Sequence, residues 1–228
     1  MWILFLLLTV PSPASLLAKY DAAMGASNFE GVFEMTAHRE DNSTRTYKMR
    51  LLKFGEDKTR LWFEDPASVR GQEILRQGDN LWVYLPNLKR AVRMASRDSF
   101  QGGDFNNADV LRVNYVADYS VVFAPEPGEA WVLDLQAKNP DAAYDKIRLW
   151  IDKKSELPLR GEYYTQSGKL LRTAEFSEVR TFGDIVRPAK ILMKNMLAQQ
   201  RFSTLVVHSY NTHVTPKTTQ FILDNLGR

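Results

Sequence analysis

From Phe29 almost to the end of the chain, apolar and polar residues alternate with a period of two, and turn-forming residues break the pattern every few positions. Phe29, Gly31, Phe33, Met35 and Ala37 share one face, with Glu30, Glu34 and His38 on the other. After a turn at Asp41-Asn42-Ser43, Tyr47, Met49 and Leu51 alternate with Lys48 and Arg50. Further strands are expected over Lys58–Phe63, Gln72–Arg76, Asn80–Leu85 and Ala91–Met94, separated by Gly55-Glu56-Asp57, Asp65-Pro66, Gly78-Asp79 and Pro86-Asn87. The pattern resumes at Tyr119–Phe123, Trp131–Ala137, Ile147–Ile151, Leu159–Thr165, Lys169–Phe176, Ile185–Lys194 and Arg201–Asn211. Short strands joined by tight turns form hairpins, so the chain predicts an antiparallel sheet of about a dozen strands.

Helical spacing occurs in three places. Ser15–Met24 sets Leu16, Leu17, Tyr20 and Met24 on one side and meets a stop at Gly25. Ser99–Asp118 begins rich in glycine and then places Ala108, Leu111 and Tyr115 together. This predicts a loop followed by one helix of two or three turns, capped by Asn106 or Asn107. A short closing helix is expected over Phe221–Leu226.

Ahead of the first helix, Trp2–Val10 is an almost unbroken apolar run followed by Pro11-Ser12-Pro13-Ala14. A membrane-spanning helix needs roughly 20 apolar residues, so this run reads instead as the core of an export signal. The small residues Ser12 and Ala14 place the start of the mature chain near Ser15, although no basic residue precedes the apolar run. The expected organisation is a signal over 1–14 and one domain over 15–228.

Composition narrows the function. Hydrophobic residues make up 44% of the 228 positions, enough to fill a core without a metal or disulfide. The net charge of +3 is spread along the chain. The one compact basic group, Lys89, Arg90, Arg93 and Arg97, reads as a solvated hairpin end, with contact to an anionic partner or lipid headgroup as the alternative, and no nucleic-acid partner is expected. The absence of cysteine excludes disulfides, thiolate metal sites, thiol nucleophiles and a lipidated N-terminal cysteine, which points to an exported chain without a lipid anchor. His38, His208 and His213 have no metal-ligand spacing, and no nucleophile elbow or phosphate loop is present. No catalytic residue, metal or cofactor is therefore expected.

Several strands are apolar on both sides: Leu61 and Phe63 oppose Trp62, Leu81 and Val83 oppose Trp82 and Tyr84, and Leu149 and Ile151 oppose Trp150. A sheet with one wet face would be polar on that side. Two covered faces predict a curved sheet with helices in its concavity, or a barrel around a ligand cavity.

The stretch Arg70–Val113, RGQEILRQGDNLWVYLPNLKRAVRMASRDSFQGGDFNNADVLRV, resembles the LolA-like family of outer-membrane lipoprotein-sorting proteins. The hairpin around Gly78-Asp79, the Tyr84-Leu85-Pro86 end, the Lys89-Arg90 edge and the loop from Asp98-Ser99-Phe100 to Asp104-Phe105 carry the likeness. It implies a mainly β fold: a strongly curved, half-open antiparallel barrel with two or three helices covering an apolar cavity. It also implies a periplasmic carrier that receives the acyl chains of lipoproteins or other lipids from an inner-membrane transporter and moves them towards an outer-membrane acceptor. By the same resemblance the cavity would be lined by Trp62, Ile74, Leu81, Val83, Leu111, Leu133, Leu149 and Ile151, with Asp104 and Phe105 starting the lid. The arginine-proline pair that holds the lid in well-studied members is replaced here by Leu51-Leu52-Lys53-Phe54. A lipid-sensing or protein-binding module of the RseB type is the alternative within this fold. A lipid-modifying enzyme is a third reading, and it would need a polar constellation in the cavity.

Overall fold

The structure, a computed structural model, describes residues 10–126, 128–140, 142–198 and 200–228. The expected export signal therefore lies outside the described residues, apart from its last positions. Of those positions Pro13 and Ala14 open the first helix, α1 (Pro13–Gly25), which starts two residues before the expected mature start. The Ser12 hydroxyl caps it by accepting the Ser15 N–H at 3.1 Å.

The thirteen strands among the described residues form one antiparallel sheet. The first six are β1 (Asn28–His38), β2 (Thr44–Phe54), β3 (Lys58–Asp65), β4 (Glu73–Gln77), β5 (Asn80–Leu85) and β6 (Arg90–Met94). The remaining seven are β7 (Tyr119–Phe123), β8 (Ala130–Ala137), β9 (Lys146–Asp152), β10 (Pro158–Tyr164), β11 (Leu170–Phe182), β12 (Ile185–Asn195) and β13 (Phe202–Asn211). Each strand turns back on its predecessor except at one place. β6 and β7 are the two free edges of the sheet, while β1 and β13 lie side by side at its middle, with Phe33 opposite Val207 and Met35 opposite Leu205. The connection over 95–118 therefore has to carry the chain from one edge to the other.

A flat sheet of this size would be about 60 Å wide at some 4.8 Å per strand. Instead, residues from both halves and from the middle share one buried cluster: Leu61 and Ile74, Met35 and Val207, Leu133, Leu149 and Ile151. The sheet is curled so that one face lines an interior. Alternation assigns that face, as β1 and β9 bury every second residue. Across the seam, Arg97 donates to the Ala142 carbonyl at 2.7 Å and to Asp145 at 3.0 Å.

The second apolar face has another cause than the one expected from sequence. On the outer side, Leu52, Leu75, Phe221 and Leu226 form a separate buried cluster with Trp62, Trp82 and Tyr84 packed against it. It is covered by the C-terminal segment, which makes two short 3-10 turns, Thr218–Phe221 and Leu223–Asn225, in place of one closing helix. Arg60 fastens this segment, donating to the Gln220 and Asn225 carbonyls at 2.8 Å each while paired with Glu73 at 2.5 Å.

Candidate functional site

The concave face is closed by three short helices and the loop between them. The segment after β6 gives two helices rather than one: α2 (Asn107–Leu111) and α3 (Tyr115–Asp118). The break at Arg112–Asn114 has local reasons. The Asn114 side chain starts α3 by accepting the Ala117 N–H at 3.3 Å, and Val113 is pressed against the end of α1. A Cβ added to Gly25 would sit 2.6 Å from Val113 Cβ, so Gly25 serves close approach as well as ending α1.

Polar contacts tie this cover to the sheet at several points, among them Thr59 to the Leu111 carbonyl, Arg112 to Asp79 and Tyr210 to the Ala26 N–H. Lys53 stands on the concave face of β2, in the same alternate register as Tyr47, Met49 and Leu51, and donates to the Gly25 carbonyl at 2.7 Å. Arg187, on β12, donates to the Met24 carbonyl at 3.2 Å. Both cations meet the negative end of the α1 dipole. Burial pulls the Lys53 ammonium below the usual lysine range, opposed by Glu56. Asp21 of α1 reaches across to α3 and accepts the Tyr115 and Val116 N–H groups at 2.9 and 2.8 Å. Burial pushes its carboxyl up to about 6 despite those two bonds.

α2 is tied by a partly buried polar cluster. Asn106 is its cap residue, as expected, and the Asp109 carboxylate accepts the Asn106 N–H and the Tyr144 hydroxyl at 2.7 Å each. Arg172 donates to the Tyr144 oxygen at 2.8 Å and to the Asn106 side chain. Burial raises the Asp109 carboxyl, with Arg172 opposing. The expected lid residues are both buried here. Phe105 points into the interior, while Asp104 anchors the loop to β13 through Ser203, whose hydroxyl donates to its carboxylate at 2.8 Å.

What remains between cover and sheet is a void of about 50 Å³. Liquid water occupies about 30 Å³ per molecule, and pockets for drug-sized ligands run to several hundred. The interior is thus collapsed on itself. The void is bordered by Tyr20 and Met24 of α1, Phe105, Asp109, Arg187 and strand residues such as Phe33 and Ile191. Larger hollows of about 500 and 620 Å³ open on the outer surface, but charged side chains line them: Asp134 and Arg148 in one, Asp79, Arg93 and Arg112 in the other.

The residues expected at the cavity separate into two groups. Ile74, Leu81, Leu111, Leu133, Leu149 and Ile151 belong to the concave core, with Val83 packed against it, but none of the seven borders the void. Trp62 does not face the concavity. It belongs to the outer cluster, with the guanidinium groups of Arg50 and Arg60 lying 3.8 and 4.9 Å from its ring centroid. Sequence reasoning predicted α1 but did not place it, or Phe33, Arg187 and Ile191, at this space. Alternation over Phe29–Ala37 and over Ile185–Lys194 signals their shared face, but no spacing says which strands lie beneath the helices. The interior is also less purely apolar than expected, because Asp109 and Arg187 both reach it. Among the described residues, no three His, Cys, Asp or Glu side chains are grouped so as to hold a metal, and no helix is long and apolar enough to cross a membrane.

The architecture is that of known structures. A LolA superfamily protein from Nitrosomonas europaea is 26% identical with a TM-score of 0.86, over 95% of this chain and 100% of that one. A domain from Vibrio parahaemolyticus described as an outer membrane lipoprotein-sorting protein is 23% identical, with a TM-score of 0.78 over 95% and 98% of the two chains. A DUF1329 family protein from Desulfovibrio piger is 21% identical, with a TM-score of 0.81 over 95% and 100%. No curated protein matches the chain in sequence. A family model whose description reads "Uncharacterized protein" matches residues 55–228, from the β2–β3 turn to the last residue. The chain belongs to that family, and its fold is the LolA-like one.

Proposed function

We propose that this protein is a periplasmic carrier that takes up the acyl chains of lipoproteins, or of another lipid, beneath its helical cover and moves them towards the outer membrane. The observation that carries this reading is the pairing of a large concave apolar face with a separate cover of short helices and loop laid over it. Because the space between cover and sheet is only about 50 Å³, cargo on this reading enters by parting the cover from the sheet. Each methylene that enters the interior gains about 0.8 kcal/mol, which is set against separating the cover from the sheet. A carrier must also release its cargo, and short helices and loops outside the strand ladder are the part of such a fold that can open while the sheet stays in register.

An inner-membrane transporter as donor and an outer-membrane acceptor complete this reading, and it requires no catalysis. The Asp109, Tyr144, Arg172 and Asn106 cluster is the polar constellation on which an enzyme would have to rest. Its groups bond to one another and to the base of α2, as a fastening does.

Native mass spectrometry of the mature protein purified from its own source, with extraction of bound material, tests the proposal. A co-purifying lipid or acylated peptide is expected. A protein that stays empty after incubation with lipoproteins and phospholipids overturns it.

A further inference from the structure

Among the described residues, four cationic side chains are buried: Lys53, Arg60, Arg76 and Arg187. Three of them have carboxylates at hand. Arg60 pairs with Glu73, Lys53 lies 3.9 Å from Glu56, and Arg76 sits in the field of Asp118, Asp79 and Asp57. Arg187 differs. It is 2% exposed, and the groups that face it are the Met24 and Pro188 carbonyls, at 3.2 and 3.3 Å, and the tyrosines Tyr20 and Tyr210. Its guanidinium lies 4.7 Å from the centroid of the Tyr210 ring. None of these is an anion.

A guanidinium does not shed its proton at any ordinary pH, so Arg187 holds a full charge stabilised by dipoles alone. The end of α1 offers about half a negative charge, and Lys53 draws on the same terminus through the Gly25 carbonyl. Burial pulls the Arg187 pKa below the usual arginine range, as a charge without a counter-ion requires. Position adds to this. Arg187 occupies the concave register of β12 with Ala189, Ile191 and Met193, and it borders the interior void. The one carboxylate among the residues that border this void, Asp109, is taken up by the Asn106 N–H and the Tyr144 hydroxyl, so Arg187 stands in the wall of the space that the cover closes without an ion-pair partner.

We propose that Arg187 is a headgroup anchor, and that the cargo is an amphiphile carrying an oxyanion, carboxylate or phosphate, at the head of its acyl chain. This rests on the carrier reading above and narrows its class of cargo. When α1 lifts, the Met24 carbonyl leaves the guanidinium and two N–H donors are free to take the oxyanion side by side. The hydroxyls of Tyr20 and Tyr210 stand beside it, and the acyl chain follows the apolar path past Phe33 and Ile191. A neutral ester head would leave the charge unpaired.

The test uses delipidated full-length mature protein and three ligands of equal chain length: palmitate, hexadecyl phosphate and methyl palmitate. Calorimetry or displacement of a fluorescent probe gives each affinity. The expected result is that one or both anions bind about tenfold or more tighter than the ester, and that Arg187→Gln removes this preference while Arg187→Lys keeps part of it. Which anion wins separates a carboxylate from a phosphate head. Equal binding of acid and ester by the unaltered protein overturns the anchor, leaves the carrier reading standing, and needs no variant to fold. Equal weakening of all three ligands in Arg187→Gln also overturns it, because Arg187 would then be a latch on α1. Failure of all three ligands to bind takes down the carrier reading together with the anchor.

Discussion

Asp21 is the residue whose chemistry responds most directly to pH. Its carboxyl is raised from 3.8 to about 6, chiefly by burial, while it caps the first N–H groups of α3. A carboxyl with a higher pKa in the folded chain takes up a proton on folding in that interval. Its contribution to stability is therefore full below about pH 4 and is lost as pH rises through 6. The join between α1 and α3 should be tightest in mild acid and loosen towards neutrality. Amide exchange at Tyr115 and Val116, corrected for intrinsic rates, should show this trend, and Asp21→Asn should flatten it. Tyr144 is a second test at this scale. Tyr144→Phe removes the hydroxyl that donates to Asp109 and accepts from Arg172. Asp109 keeps the Asn106 N–H and Arg172 keeps the Asn106 side chain, so the loss of two hydrogen bonds at this partly buried site should cost about 1–3 kcal/mol in denaturant unfolding.

Two elements divide the work of covering the sheet, and they should respond differently. α1 meets the α2–α3 connection without room for a side chain at position 25. Gly25→Ala should cost about 1–3 kcal/mol through overpacking and speed hydrogen exchange over residues 107–118. Unchanged exchange there would mean that α1 does not hold the connection down. The C-terminal segment covers the opposite face, where Phe221 is 1% exposed against Leu52 and Leu75. Phe221→Ala should cost about 3–5 kcal/mol in unfolding. Lipid binding measured well inside the folded range should be unaffected, because that cluster does not communicate with the interior. A parallel loss of lipid binding would place cargo on the outer face instead.

At the scale of the molecule, the sheet is continuous from β6 to β7 and its ladder leaves little freedom, whereas the cover is short helices and loop. Uptake should therefore displace the cover and leave the strands in register. A charge on the concave face should block it. Val83→Asp, at a half-buried position against the concave core, should abolish lipid retention by the exported chain without preventing export. Retention by a folded variant would remove β5 from the cargo surface.

The alternation in the chain determined the strands and the face on which Phe33, Met35 and Leu133 are buried, because a period of two sends alternate residues to opposite sides, and the tight turns determined the antiparallel sense. The helical spacing of Leu16, Leu17, Tyr20 and Met24 likewise determined α1. Sequence alone left open which apolar side of a two-sided strand turns inward, because Trp62 and Leu61 are equally apolar neighbours. The curl of the sheet and the return of the C-terminal segment over Trp62 decided that. It also left open where the cover would rest. Pairing of β1 with β13 brings Arg187 beneath the end of α1, across 163 positions of sequence, and no local pattern encodes so distant a meeting. Burial and the position of one helix terminus turned an ordinary strand arginine into an uncompensated charge facing the interior, and only the folded chain supplies both.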